Sequence, residues 1–132
     1  MYADWEWYAL EYGGTGLQED VEPELEAASD AIDALTFSRI HAVGWDRLTD
    51  FQKGCVRMAC CAQADFALQN ADAVQSAMTR YSINGVTMEF GNAALYTIVD
   101  GQAMSNRALG HLRRSGLMSL MAYPPEVDRA LA

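Results

Sequence analysis

The chain has 132 residues, 51% of them hydrophobic, and carries 18 acidic against 9 basic side chains for a net charge of −9. That length suits one domain, and the apolar content excludes a disordered acidic tail. So acidic a surface is poorly suited to gripping phosphates by counterion release or to lying on an anionic membrane, and no apolar run approaches the roughly 18–20 residues that cross a bilayer.

The acid is unevenly spread. Residues 1–50 hold twelve Asp or Glu against Arg39 and Arg47, a net −10, whereas residues 51–132 balance six acids against seven bases. Such polarity suits ordered stacking against partners or repulsion of DNA from a nearby surface; a plain solvated helix face is the simpler account.

The opening Met1-Tyr2-Ala3-Asp4-Trp5-Glu6 lacks the basic region of a secretory signal. Tyr2, Trp5, Trp7, Tyr8 and Tyr12 make this segment dense in aromatics, and Gly13-Gly14-Thr15-Gly16 breaks the chain after it. The strip either lies over its own core or packs on a neighbouring subunit, since Trp and Tyr are enriched at interfaces. Apolar Val21, Leu25, Ala28, Ile32 and Leu35 then keep one face of a helix. Glu19, Asp20, Glu22, Glu24 and Glu26 load its positive dipole end. Pro23 is expected in its first turn, where a missing N–H costs little. Thr36 ends that helix or caps a short successor over 37–41, and the chain turns at Gly44.

A second long helix is expected from Thr49 to about Met78. Thr49 with Gln52 forms a capping-box pattern, and Phe51, Cys55, Met58, Ala59, Ala62, Phe66 and Ala73 trace its apolar stripe. The small residues Ala59 to Ala64 let other helices approach closely, which makes this the central element. Cys55, Cys60 and Cys61 are odd in number and do not form a disulfide framework; adjacent helical positions diverge by about 100°. They read as reduced thiols packed as small apolar groups.

The period then changes to two. Tyr81, Ile83, Val86, Met88 and Phe90 alternate around Asn84-Gly85, a strong hairpin signal. A lone hairpin is marginal in water and must lean on the bundle or on other chains. Residues 91–101 read as a loop closing at Asp100-Gly101. A third helix is expected from Ala103 or Ser105 to Ser115, with Met104, Ala108, Leu109 and Leu112 on its apolar side. Arg113 and Arg114 suit its C-terminal end, and Gly116 its C-cap. The run Leu117-Met118-Ser119-Leu120-Met121-Ala122-Tyr123, stopped by Pro124-Pro125, is an apolar tail in need of a surface.

These elements predict an all-α (mainly α) fold: a small helical bundle with an inserted β-hairpin. One domain spans residues 1–132, with an N-terminal arm at 1–16, a helical core at 18–116 carrying a hairpin at 80–91, and a C-terminal arm at 117–132. No catalytic pattern emerges. His41 and His111 have no metal-ligand spacing to a second His or Cys, and gathering them with Cys60 and Cys61 would be left to the fold. No nucleophile elbow, Walker sequence or dinucleotide fingerprint occurs. Arg107, Arg113 and Arg114 are too few for a nucleic-acid surface. The absence of these motifs shifts the expectation toward an assembly or binding role.

The order of elements carries a resemblance. An aromatic strip ends at Tyr12-Gly13-Gly14, an acidic helix reads Ala27-Ala28-Ser29-Asp30-Ala31-Ile32-Asp33-Ala34-Leu35-Thr36-Phe37-Ser38-Arg39-Ile40, and Val56-Arg57-Met58-Ala59-Cys60-Cys61-Ala62-Gln63-Ala64-Asp65 follows. A hairpin and a helix ending Leu112-Arg113-Arg114-Ser115-Gly116-Leu117-Met118 close it. Over residues 2–121 the chain resembles the head–tail connector (head-completion adaptor) proteins of long-tailed bacteriophages, often found in prophages.

The resemblance implies a viral structural protein of the virion neck, made in the bacterial host cytoplasm during assembly, that is not an enzyme and uses no cofactor or metal. It implies a self-associated ring, usually of twelve subunits, beneath the portal protein. The ring extends the channel through which DNA passes without specific binding, and supports a stopper or tail-completion protein. On this reading Tyr81, Ile83, Asn84, Gly85, Val86, Met88 and Phe90 face the channel, unless the hairpin packs on its own bundle. Trp5, Trp7, Tyr8, Leu117, Met118, Leu120, Met121 and Tyr123 contact a neighbour or the portal, unless the tail merely closes the core. The alternative is a small acidic helical module that sequesters a basic protein partner.

Overall fold

The computed structural model describes residues 1–71, 96–99 and 102–118. In chain order they form α1 (Trp5–Trp7), a π-helical turn (Tyr8–Tyr12), α2 (Gln18–Leu35), α3 (Arg39–Val43), a 3-10 turn (Trp45–Arg47), α4 (Asp50–Gln69), strands β1 (Tyr96–Val99) and β2 (Gln102–Ser105), and α5 (Asn106–Ser115). The fold is mainly helical with one small antiparallel hairpin, as the sequence predicts.

Helix α4 is the centre: α2 packs on one flank of it and α5 on another. The core includes the expected stripe of α2 (Val21, Leu25, Ala28, Ile32, Leu35), the small residues Val56, Ala59, Cys60, Cys61, Ala62 and Ala64 of α4, and Ala108, Leu109 and Leu112 of α5. Small side chains on the central rod let two helices approach it closely, and packing density rather than large side chains supplies the contact.

The capping box of α4 forms as expected. The Thr49 hydroxyl accepts from the Gln52 amide at 3.0 Å, and the Gln52 side chain accepts from the Thr49 amide at 3.1 Å. Thr49→Ala is expected to cost about 1 kcal/mol, measured as a lower urea midpoint with an unchanged slope. The helix is assigned to Gln69; residues 72–78 of the expected continuation lie outside the described residues.

Three expectations are corrected. Pro23 is not in the first turn of α2, because the helix already begins at Gln18. It sits in the second turn on the exposed side, where it removes the bond its N–H would make to the Glu19 carbonyl. The residues read as a loop before Asp100-Gly101 contain β1, which pairs with β2 from Tyr96 opposite Ser105 to Val99 opposite Gln102. Tyr-Thr-Ile-Val is a β-favouring run, and Asp-Gly after it is itself a hairpin signal. Consequently Ala103 and Met104 are strand residues. Met104 is fully buried from β2, not from a helix, and α5 starts only after Ser105, whose hydroxyl accepts from Arg107 N at 3.2 Å and Ala108 N at 3.4 Å. The hairpin expected at 80–91, with Tyr81, Ile83, Asn84, Gly85, Val86, Met88 and Phe90, lies outside the described residues.

Helix α2 ends at Thr36, and the next two residues, Phe37 and Ser38, are both left-handed with φ of 58° and 56°. The Ser38 amide closes back on the Asp33 carbonyl at 2.9 Å, and the chain turns into α3. A left-handed L-residue costs about 1–2 kcal/mol. Ser38→Gly should therefore raise stability by about 0.5–1 kcal/mol after glycine's larger unfolded-state entropy is deducted; a thermal melt checks it.

Candidate functional site

The aromatic strip lies over its own core. Ala3 is 2% exposed and Tyr8 0%. Tyr8 lies at the middle of a row of rings, 5.7 Å from Trp5 and 5.7 Å from Tyr12 between centroids. Its hydroxyl donates to Asp65 Oδ1 at 2.7 Å and accepts from the Gly16 amide at 3.0 Å. Burial, reinforced by the hydrogen bond to Asp65, pushes the phenol up to about 12. The Tyr2 amide donates to Ser29 Oγ at 3.0 Å and its phenol donates to Asp33. Thus the strip is stitched to α2 at one end and to α4 at the other.

Beside it is a cleft of about 410 Å³ lined by Met1, Tyr2, Ala3, Asp4, Trp7, Trp45 and Arg57. The Tyr2 ring stacks on Trp45 at 5.5 Å, and the Arg57 guanidinium lies 5.3 Å from the Trp45 ring centre. A cationic group over a shared aromatic face holds the walls together.

The expected contact residues divide. Trp5, Trp7 and Met118 are half-buried and keep surface on the outside. Tyr8 and Leu117 are corrected: at 0% and 5% exposure their side chains are consumed by this chain's own core, because each has internal partners that outcompete the surface. Leu120, Met121 and Tyr123 lie outside the described residues. Among the described residues the large apolar side chains most exposed are Leu10 at 78% and Leu17 at 64%, which sequence reasoning did not single out.

The thiols are sealed. Cys60 Sγ lies 3.4 Å from both the Leu25 carbonyl and Ser29 Oγ. All three cysteines are free and buried, and burial raises all three thiols above their ordinary range. The thiolate is the reactive form, so a disulfide reagent should react slowly with the native protein and with all three thiols after denaturation; absorbance of the released thiolate follows it. His41 pairs with Asp33 at 3.1 Å. His111 accepts from Arg114, and its proton affinity is lowered by burial and then by Arg114 and Arg107. Among the described residues no three His, Cys, Asp or Glu side chains gather in a way that could hold a metal ion, and no helix is long and apolar enough to cross a membrane.

Two polar residues carry weight that spacing did not reveal. Gln63, 9% exposed, donates to the Ala103 carbonyl at 3.1 Å and accepts from the Ser105 amide at 2.8 Å. It pairs with β2 as another strand would. Asp65 is the acceptor that fixes Tyr8. Their one sequence signal is polarity inside the run Ala62-Gln63-Ala64-Asp65, where alanines flank them.

Charge is segregated. Glu19, Glu22, Glu26 and Asp30 are exposed on α2, while Arg107, Arg113 and Arg114 are exposed on α5. The one ion pair between described residues is His41 with Asp33. No family model, curated protein or solved structure matches this chain.

Proposed function

We propose that the chain is a non-catalytic structural protein of a bacteriophage neck, a head–tail connector that assembles as a ring beneath the portal and offers a platform to the stopper or tail. The observation that supports this best is the element order: an aromatic strip, an acidic helix, an alanine- and cysteine-rich central helix, a hairpin and a short basic helix, in the sequence on which the resemblance rests. The ring would carry DNA through its channel without binding it, since a chain of net charge −9 repels phosphates. Trp5, Trp7 and Met118, with exposed Leu10 and Leu17, are the surfaces left to meet a neighbour or the portal.

Negative-stain imaging tests this reading. The purified chain at high concentration, alone and with the portal protein encoded beside it, is expected to give rings. A particle that stays monomeric in both conditions, or a gene flanked by no portal, capsid or tail genes, overturns it. The acidic outer face of α2 favours a second reading, a module that sequesters a basic partner. Tight, salt-sensitive binding of a basic protein by monomers that never form rings would select that reading instead.

A further inference from the structure

The outward faces of α2 and α5 carry opposite charge. On α2, Glu19, Glu26 and Asp30 share the side directly opposite the buried stripe of Val21, Leu25, Ala28 and Ile32, by the 100° turn per residue. On α5, Arg107 and Arg114 are seven residues apart on one outward stripe, with Gly110 between them. A Cβ built on Gly110 meets nothing within 4 Å, so another backbone can approach this stripe closely. The two faces lie on different flanks of α4. Neither set forms an ion pair between described residues: Arg107 is over the Tyr12 ring at 5.9 Å, and Arg114 donates to His111.

We infer that the outward face of α2 in one copy docks on the outward face of α5 in the next. This rests on the reading that copies of the chain assemble, and it names the surfaces by which they would. The charges decide the partner. An acidic α2 repels another α2, and an arginine-bearing α5 repels another α5, so the favourable contact joins unlike faces. Repeated in one rotational sense, such a heterologous contact closes into a ring when the rotation divides the circle. Charge that forms no ion pair among the described residues of one copy is thereby matched by the next copy.

The test is charge reversal with compensation, read by sedimentation velocity. One variant carries Glu26→Lys and Asp30→Lys; a second carries Arg107→Glu and Arg114→Glu; a third carries all four changes. All four positions are exposed, and circular dichroism confirms that each variant is folded. In about 0.01 M salt, where charges are felt across about 30 Å, the wild type is expected to associate, and in about 1 M salt to dissociate. Each single-face variant should remain monomeric alone, an equimolar mixture of the two should associate, and the four-fold variant should recover association. Single-face variants that associate like the wild type overturn the contact. So does a wild type that remains monomeric in low salt. Imaging with the portal separates the two proposals: rings formed equally by single-face variants remove the α2–α5 contact and leave the connector reading standing, whereas absence of rings from the wild type removes the connector reading.

Discussion

Tyr8→Ala is expected to destabilise the protein by about 3–5 kcal/mol, the usual cost of emptying a buried aromatic site. Of a total stability of about 5–15 kcal/mol for a domain, that is a large share. The cost has three sources. The ring is fully buried between Trp5 and Tyr12. Asp65 loses its 2.7 Å donor, and the Gly16 amide loses its 3.0 Å acceptor. Tyr8→Phe keeps the ring and removes only the hydroxyl, so it should cost about 1–3 kcal/mol. Urea unfolding of both variants separates packing from hydrogen bonding. The same site demands glycine next to it: a Cβ on Gly14 would lie 2.0 Å from the Tyr8 ring.

The Tyr8 phenol also makes a signed prediction with pH. Its ordinary value is near 10, and in the folded chain it is raised to about 12. Below pH 10 both states hold the proton and the contribution is fully present. Between pH 10 and 12 the unfolded phenol ionises first, so stability falls as pH rises through that window. Tyr8→Phe should remove this part of the alkaline decline, measurable as urea midpoints across that range.

Gln63→Leu is the second large effect. Leucine matches the size but leaves the Ala103 carbonyl and Ser105 amide without partners in a buried place. Each orphaned group costs about 1–3 kcal/mol. The loss should be local first: amide hydrogen exchange is expected to accelerate in Gln102–Ser105 and at the start of α5 more than in α2. Gln63→Glu should be no rescue, because its carboxylate would face the Ala103 carbonyl, acceptor against acceptor. Equal exchange in all elements would show instead that the hairpin and bundle open as one unit.

The helices were legible because their physics is local. The 4-3-4-3 spacing from Val21 to Leu35, the Thr49–Gln52 box and the Gly116 cap, left-handed at φ 79°, each announce themselves within a turn or two. Strand β1 was not legible because its four residues are too short a run to show a clear alternation, so Asp100-Gly101 reads as the end of a loop; the alternation around Asn84-Gly85 lies outside the described residues. Pro23 misled because strong acid in the preceding turn already suffices to start the helix at Gln18. The π-helical turn at Tyr8–Tyr12 and the left-handed pair Phe37–Ser38 have no dipeptide signature. As for the candidate site, the aromatic strip was visible as composition, but its fate was not. Tyr8 is drawn inward by Asp65, 57 positions away, and Tyr2 by Ser29, 27 positions away. No local spacing encodes such pairs.

The same long reach governs the order in which the molecule comes apart. The first sixteen residues close the largest loop in the chain's described contacts, so loop entropy charges them most and rewards them last. They are expected to open as a unit of their own. Directly beneath them is the Cys60 sulfur, whose nearest covering groups include the backbone amides of Tyr2 and Ala3. Lifting the strip would remove part of that cover, while Leu25 and Ser29 of α2 still lie against the sulfur. Labelling of Cys60 is thus expected to outpace that of Cys55 wherever the aromatic edge opens ahead of global unfolding.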